Sequence, residues 1–493
     1  MKISIDKSSK VPVYLQIADQ IKAQIISGAL PRSSALPSER ALAQILDVHR
    51  NTVVKAYGEL KSDAWIESRQ GVGYLVASAS TEKEPVGESG EGVQMGRVNW
   101  VNEVADKYLD MEKTFDDLFQ RFTDESHFSL GSGVASREVY SSERVAHDIA
   151  GLLTGSGPSQ YFFSPYKGDR FLRQKLASFL GTKGVRASSG EIQILSETNQ
   201  ALDFIVTLLV KPGDSVVMEE PVHPDMYRVM ELAGARILTV PVDEDGMNCD
   251  VLESLLTQTR PRLIFVNSSF HDPTGCILSL ERRKKLVELS NRYRIPIVEE
   301  DAASELVYDG DKLPPIKAFD TTGNVIYIYS FSLTFIPGLS LAFVTGNRDF
   351  VRALSYLVSV RLMASDWMTQ KLLGMYLDDG SYYSSLATFR EIYSGNRDLV
   401  CQKLDALAHL GVRYERPRGG VYVWCRLPDG VDSKHFINRA YNMGVTLIPG
   451  HVFYPYKNGG RDYIRINYSY ESRERLACGM DVLHKALEEE LEE

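Results

Sequence analysis

Cysteine is scarce in this chain of 493 residues, with five in all, at Cys249, Cys276, Cys401, Cys425 and Cys478. The count is odd, and no Cys-x-x-Cys pair or Cys/His cluster occurs, which argues against a disulfide framework and against structural zinc. Long apolar runs are missing too. The longest, near Phe204 to Val210, falls far short of the roughly 20 residues that a membrane-spanning helix needs. The first ten residues, MKISIDKSSK, lack the apolar core of a secretion signal. No internal repeat is visible. A cytoplasmic protein with no membrane partner is the expectation.

What is there describes an ordinary globular chain: 44% hydrophobic, 10% aromatic and 24% charged residues. The length suits about three domains of roughly 150 residues. The net charge of −10 taken alone argues against a nucleic-acid binder, but it is unevenly spread. Residues 1–80 hold ten Lys/Arg against seven Asp/Glu, a net of +3, which leaves −13 for the rest. A basic module joined to an acidic body fits that asymmetry, although +3 over eighty residues is modest.

The basic part reads clearly. Tyr14, Ile17, Ile21 and Ile25 recur at spacings of three and four, which predicts a helix over Pro12–Ser27 closed by Gly28. Ser38 is a good N-cap for a short second helix whose apolar face is Leu42, Ile45 and Leu46. After Asp47-Val48-His49 a third helix turns Val53, Tyr57 and Leu60 inward and leaves Asn51 and Lys55 on the opposite face. Trp65–Arg69 and Tyr74–Val76 read as a hairpin through Gln70-Gly71-Val72-Gly73. This order is that of a winged helix-turn-helix, whose third helix offers Arg50, Asn51, Thr52 and Lys55 to base edges and phosphates. The competing reading is a small helical module for protein contacts.

The strings LPSER (36–40), RNTV (50–53) and RQGVG (69–73) decide between them, because the run over residues 11–76 resembles the GntR-type winged-helix domain. The resemblance implies a double-stranded DNA operator as partner and contacts from Arg40, Arg50, Asn51, Thr52, Gln70 and Gly71. His49 stands where that family usually has Ser or Thr. Residues 1–78 are assigned to this domain. Residues 79–125 form a linker, rich in Ser, Gly and Glu to about Met95, with helical spacing from Trp100 to Phe122.

From residue 126 to 493, β-branched runs alternate with helical patterns. Strands are expected at Ser215–Met218, Leu263–Val266, Ile295–Val298, Val325–Tyr329 and Leu341–Thr345, with a helix such as Leu280–Tyr293 between them. That alternation predicts an α/β fold with a large, mainly parallel sheet and a site at the carboxyl ends of its strands. The segments YKGDRFLRQKLASFL, HDPTGCILSLERRKKL, IVEEDAASELVY, YSFSLTFIPGL, GGVYVW and YIRINY resemble fold-type-I aminotransferases. The whole chain resembles the MocR subfamily of GntR regulators, in which such a domain, with its smaller C-terminal α/β subdomain, follows a winged helix.

The resemblance implies a pyridoxal-phosphate pocket, and this sequence departs from it at several positions. The family's Schiff-base lysine, in Ser-Phe-Ser-Lys-Thr, falls on Leu333, and no lysine occurs between Lys317 and Lys371. Its phosphate-binding arginine falls on Ser340, its pyridine-nitrogen aspartate on Glu300, a ring-contacting tyrosine on Ala302, the stacking aromatic residue on His223, and the glycine of the phosphate turn on Glu197. Asp272 belongs to the same vestigial pocket. A one-residue slip would put Asp301 at the ring nitrogen but would not rescue Leu333. Covalent pyridoxal phosphate is therefore not expected, while a non-covalently held vitamer stays open.

Arg465 matches the arginine that binds a substrate carboxylate in that family, so it suits a carboxylate or amino-acid effector; a structural ion pair is the equal alternative. His271, at a strand end, reads as structural. No catalytic residue and no metal site are expected. The leading reading is a non-catalytic, homodimeric transcription regulator, its subunits arranged head to tail if it follows its MocR relatives. The others are a working aminotransferase with an appended DNA-binding domain and a regulator that holds pyridoxal phosphate non-covalently.

Overall fold

A computed structural model describes residues 3–5, 12–26, 29–31, 34–46, 48–62, 65–69, 73–77, 121, 125–136, 138–155, 165–362 and 366–492. The chain divides into two compact units, Met1–Val98 and Asn99–Glu493. The acidic linker lies outside the described residues, as does the helix expected from Trp100 to Phe122 apart from Arg121.

In the first unit, helices α1 (Val13–Ile26), α2 (Glu39–Leu46) and α3 (Arg50–Ser62) precede a hairpin of β1 (Ile66–Arg69) and β2 (Gly73–Val76). The hairpin pairs Ile66 with Val76 and Arg69 with Gly73. Ile17, Ile21, Leu42, Val53, Tyr57 and Leu60 are fully buried, so the inward faces are those set by the helical spacing. Ile45 departs from the expectation: it is 69% exposed, and Ala43 is buried with Leu42 instead. A helix of eight residues shows its core only one narrow stripe, which Leu42 and Ala43 fill together with the partly buried Leu46.

The second unit opens with the short strand β3 (Phe128–Ser129), α4 (Ser142–Gly155) and α5 (Arg170–Thr182). Its main sheet holds β4 (Ile192–Leu195), β5 (Ser215–Glu220), β6 (Arg236–Asp243), β7 (Gly246–Met247), β8 (Ile264–Asn267), β9 (Ile297–Asp301), β10 (Val325–Ser330) and β11 (Ala342–Thr345). Their order across the sheet is β4-β11-β10-β9-β8-β5-β6-β7. The run from β10 to β6 is parallel, and β11 and β7 pair antiparallel with their neighbours.

Both faces of that sheet are covered. On one side α6 (Thr198–Leu209), α7 (Pro224–Leu232) and α10 (Arg348–Arg361) pack Leu202, Ile205, Met230 and Leu354 against Met218, Phe265, Val298 and Ile328. The other side meets α8 (Cys249–Gln258) and α9 (Leu280–Tyr293) through Leu252 and Leu286 on Val217, Ile264 and Ile297, while α5 covers Tyr327 and Tyr329. Alternate residues of each strand serve alternate faces, as the pleat requires.

After α11 (Trp367–Asp378) and the long α12 (Ser381–Asp405), a smaller sheet of β12 (Arg413–Tyr414), β13 (Tyr422–Arg426), β15 (Ile448–Pro449) and β16 (Tyr463–Asn467) forms the C-terminal subdomain. With it go α13 (Ser433–Asn442), β14 (Val445–Thr446), which pairs in parallel with β3, and α14 (Arg473–Leu491). All five cysteines are unpaired: Cys249, Cys401 and Cys425 are buried, Cys276 is half-buried and Cys478 is exposed. Among the described residues, no helix is long and apolar enough to cross a membrane, and no cluster could hold a metal ion.

Candidate functional site

Parallel strands end on one edge of their sheet, and the segments that leave this edge surround a cavity of about 300 Å³. Glu197 follows β4, Val222 and His223 follow β5, Asn267 ends β8, Glu300 sits in β9, and Ser332 and Leu333 follow β10. Asp272 and Phe270, from the loop after β8, and Tyr422, from the smaller sheet, complete the wall. The cavity thus gathers Glu197, His223, Asp272, Glu300, Ala302 and Leu333, residues spread over more than 130 positions of sequence. Ser340 places its hydroxyl beside Glu197. Asn267, Asp225, Tyr422, Phe265 and Phe270 also line it and were not singled out from the sequence. Asn267 had a usable signal, its place at the carboxyl end of a strand.

The lining is acidic. Glu197, Asp225, Asp272 and Glu300 all face the cavity, and no lysine or arginine does among the described residues. Glu300 and Asp301 are neighbours in a strand, so they point to opposite faces. Glu300 faces the cavity and receives a hydrogen bond from Asn267 Nδ2. Asp301 faces away, where it accepts from Ser304 N–H (2.9 Å) and Tyr327 O–H (2.5 Å), with the Lys183 ammonium at 3.8 Å. His223 caps α7, its Nδ1 accepting from Asp225 N–H at 3.3 Å. Leu333 is buried, 5% exposed.

Burial dominates the electrostatics. It pushes the Glu300 carboxyl from 4.5 up to about 8, and the charges of Asp301, Asp272 and Glu299 add to the push, while the bond from Asn267 opposes it. Glu197 is raised by burial against the opposing Ser340 hydroxyl. The Glu300 carboxyl therefore holds its proton in the folded chain and releases it in the unfolded one between about pH 4.5 and 8. The native state then binds more protons, so stability falls as pH rises through that window, by up to about 1.4 kcal/mol per unit. Glu219 is raised to about 8 by its own burial, with Glu300 adding to it, and contributes in the same sense. Glu300→Gln should therefore flatten the decline between pH 5 and 8 without abolishing it. Urea midpoints of the full chain at both pH values, followed by tryptophan fluorescence, check this; an unchanged slope would mean Glu300 is ionised throughout.

Arg465 does not stand free for a ligand. Its Nη1 donates to both oxygens of Asp272 at 2.8 Å, its Nη2 donates to the Gly131 carbonyl at 2.8 Å, and its guanidinium lies 4.3 Å from the centre of the Tyr422 ring. The residue is 2% exposed. Of its two sequence readings, effector contact or structural ion pair, the geometry is that of the ion pair. A carboxylate of the chain itself takes Nη1, and Nε is buried without a hydrogen-bond partner among the described residues. His271 is buried as well, with its ring on Thr274 Oγ1 at 2.8 Å, and burial lowers it to about 4.

In the first unit the described residues named for DNA contact lie at the start of α3, apart from Arg40, which lies in α2. Arg40, His49, Arg50 and Asn51 are exposed and Thr52 is half-buried. Glu39 holds Arg50 through Oε2 at 2.9 Å and takes the Tyr74 hydroxyl on Oε1 at 3.1 Å. His49 Nδ1 accepts from Asn51 N–H at 3.2 Å, so the ring caps α3 as a serine or threonine side chain would. Gln70 and Gly71 lie outside the described residues.

Comparison with known proteins agrees with both halves. Residues 125–481 match the aminotransferase class I and II family, and residues 13–76 match the gntR family of bacterial regulatory proteins. Over 96% of both chains, the sequence is 27% identical to the uncharacterized HTH-type transcriptional regulator YisV of Bacillus subtilis. It is 28% identical to a Rhizobium meliloti protein named "Probable rhizopine catabolism regulatory protein MocR", covering 90% of this chain and 88% of that one. Among solved structures, the α-aminoadipate aminotransferase LysN of Thermus thermophilus, complexed with N-(5'-phosphopyridoxyl)-L-leucine, superposes with a TM-score of 0.74 at 28% identity, over 80% of this chain and all of that one. With well over half its length in the match, the chain belongs to the class I and II aminotransferase family and carries a GntR-type helix-turn-helix domain ahead of that fold.

Proposed function

We propose that the chain is a DNA-binding transcription regulator whose aminotransferase-like domain binds a small molecule at the strand-edge cavity without catalysing a reaction on it. The observation that carries this reading is the cavity lining: Leu333 where an amine is needed, four carboxylates, and no lysine or arginine among the described residues. When bound, pyridoxal phosphate supplies an aldehyde for a lysine and a phosphate dianion for a cationic seat. Leu333 offers no amine, and the carboxylate of Glu197 at the start of α6 repels a dianion where helix N–H groups alone would attract it. The residues present do not fit the cofactor, so no chemical step is assigned to it. The exposed basic start of α3 supports the DNA-reading role, and the relatives named as regulators support the same division of labour.

A visible absorbance spectrum of the purified full chain mixed with pyridoxal phosphate, followed by borohydride, tests the reading. No band is expected. A band that dialysis removes points to a vitamer-sensing regulator, and one that borohydride fixes overturns the reading. Leu333→Lys alone is expected to stay colourless, because the phosphate seat is still missing. Adding Ser340→Arg, Glu197→Gly and Glu300→Asp should bring a dialysis-resistant band. A stable band in the single mutant would mean a more intact cofactor pocket than proposed.

A further inference from the structure

Whether the cavity favours an anion or a cation depends on which of its polar atoms lack partners. Asp272 is matched by Arg465, and the pair closes on itself with both carboxylate oxygens bonded. Asp225 accepts from Asn199 Nδ2 at 3.1 Å. Glu300 and Glu197 remain, neither with an ion-pair partner among the described residues. Glu300 is 7% exposed, uses one oxygen on Asn267 Nδ2, and has no hydrogen bond on the other among the described residues. In that contact the Asn267 amide donates through Nδ2. Asn267 Oδ1 is thereby left as a second acceptor, buried and without a partner.

Two adjoining side chains that line one cavity therefore carry unfilled acceptors, and the wall offers no lysine or arginine among the described residues. Unfilled buried acceptors are costly, and a ligand that donates to them removes that cost. An ammonium group brings three N–H donors, and its positive charge favours the ionised form of Glu300, whose proton leaves to solvent. A ligand carboxylate, by contrast, would bring further acceptors to a wall of acids, with Glu300 and Glu197 among them, and would find Arg465 Nη1 already held by Asp272. Phe265, Phe270, Met226 and Leu333 add an apolar surface to the same lining.

We propose that this cavity takes a primary amine with an apolar body and no carboxylate, its ammonium seated on Glu300 and Asn267 and its body against Phe265, Phe270 and Leu333. The proposal rests on reading the cavity as the regulator's ligand site.

Calorimetric titration of the full chain tests it with three amines of different bodies, 2-phenylethylamine, tryptamine and hexylamine. Phenylalanine and phenylacetate serve as matched compounds that add a carboxylate or put one in place of the amine. At least one amine is expected to bind, with both carboxylates about 10-fold weaker or more. Glu300→Gln should weaken the amine about 10- to 100-fold, the range for a hydrogen bond to a charged group. Should that variant fail to fold, Asn267→Ala removes the neighbouring acceptor and is expected to weaken the amine in the same direction. Asp272→Asn frees the Arg465 fork and should admit phenylacetate. The proposal is overturned if none of the amines binds, if phenylacetate binds the unmodified chain as well as 2-phenylethylamine does, or if amine binding survives both Glu300→Gln and Asn267→Ala.

Retardation of promoter DNA by the full chain, with and without ligand, separates this proposal from the one it rests on. An amine that binds through Glu300 yet leaves DNA binding unchanged would keep the ligand class and sink the sensing role. A carboxylate that displaces the amine class and shifts DNA binding would do the reverse.

Discussion

Arg465→Ala is expected to destabilise the aminotransferase-like domain by about 3–5 kcal/mol, the usual result of leaving one partner of a buried ion pair without the other. Asp272 would keep its charge in a nearly enclosed position, the Gly131 carbonyl would lose its donor, and the Tyr422 ring would lose the guanidinium beneath it. Removing both charges together is a different experiment. Arg465→Met combined with Asp272→Leu should lie close to the unmodified chain or above it, because neither desolvation penalty remains. Urea unfolding of the two variants beside the parent measures the contrast. If Arg465→Ala unfolds at the parent's midpoint, the pair contributes nothing to the fold, and the arginine is available for a ligand after all.

The second large effect belongs to the DNA-reading helix. Arg50→Ala should lower the ratio of specific to non-specific DNA affinity by about 1–3 kcal/mol, the worth of one bidentate base contact. Arg50 opens α3, its side chain is 53% exposed, and Glu39 fixes it at 2.9 Å while Tyr74 fixes Glu39. That arrangement orients the guanidinium before DNA arrives, so less side-chain entropy is lost on binding. Competition titrations with cognate and scrambled duplex at one salt concentration give the ratio, which must be held at fixed salt because the phosphate contribution varies steeply with it. A weaker affinity for both duplexes with the ratio intact would reassign Arg50 to the phosphate backbone.

Much of this architecture was legible beforehand, and the places where it was not have physical causes. Helix α9 was read to the residue, and in the structure Ser279 caps it where that reading begins. Strand β6 was missed: it lies next to the sheet's edge, mixes Arg236, Thr239 and Pro241 with its apolar residues, and so carries no clean alternation. Strand β4 was missed because Gln193 interrupts its short apolar run, which β8 and β11, equally short, do not suffer at that point. Ile45 was placed inside on spacing alone, and spacing does not say how wide a stripe the core can accept.

The cavity was a different matter. Glu197, His223, Glu300 and Leu333 were found as departures from a family pattern, and the strand edge brings them together. Which of Glu300 and Asp301 faces inward follows from the pleat once the strand's register is known, and not before. The Asp272–Arg465 pair joins residues 193 positions apart, and no local periodicity reports a contact of that range. Asn267 carries no unusual residue type at all; only its position at the end of β8 marks it.

The thiols have a practical consequence. Burial raises Cys249 to about 11 and both Cys276 and Cys425 to about 12, and Cys401 is also raised, whereas Cys478 lies exposed on α14. Since the thiolate is the reacting species, a maleimide reagent near neutral pH should modify Cys478 first. The native chain thus comes with a single natural handle for a fluorophore on its last helix. Energy transfer from that dye to one on a DNA end would report whether a ligand changes the distance between them, with no residue of either site altered.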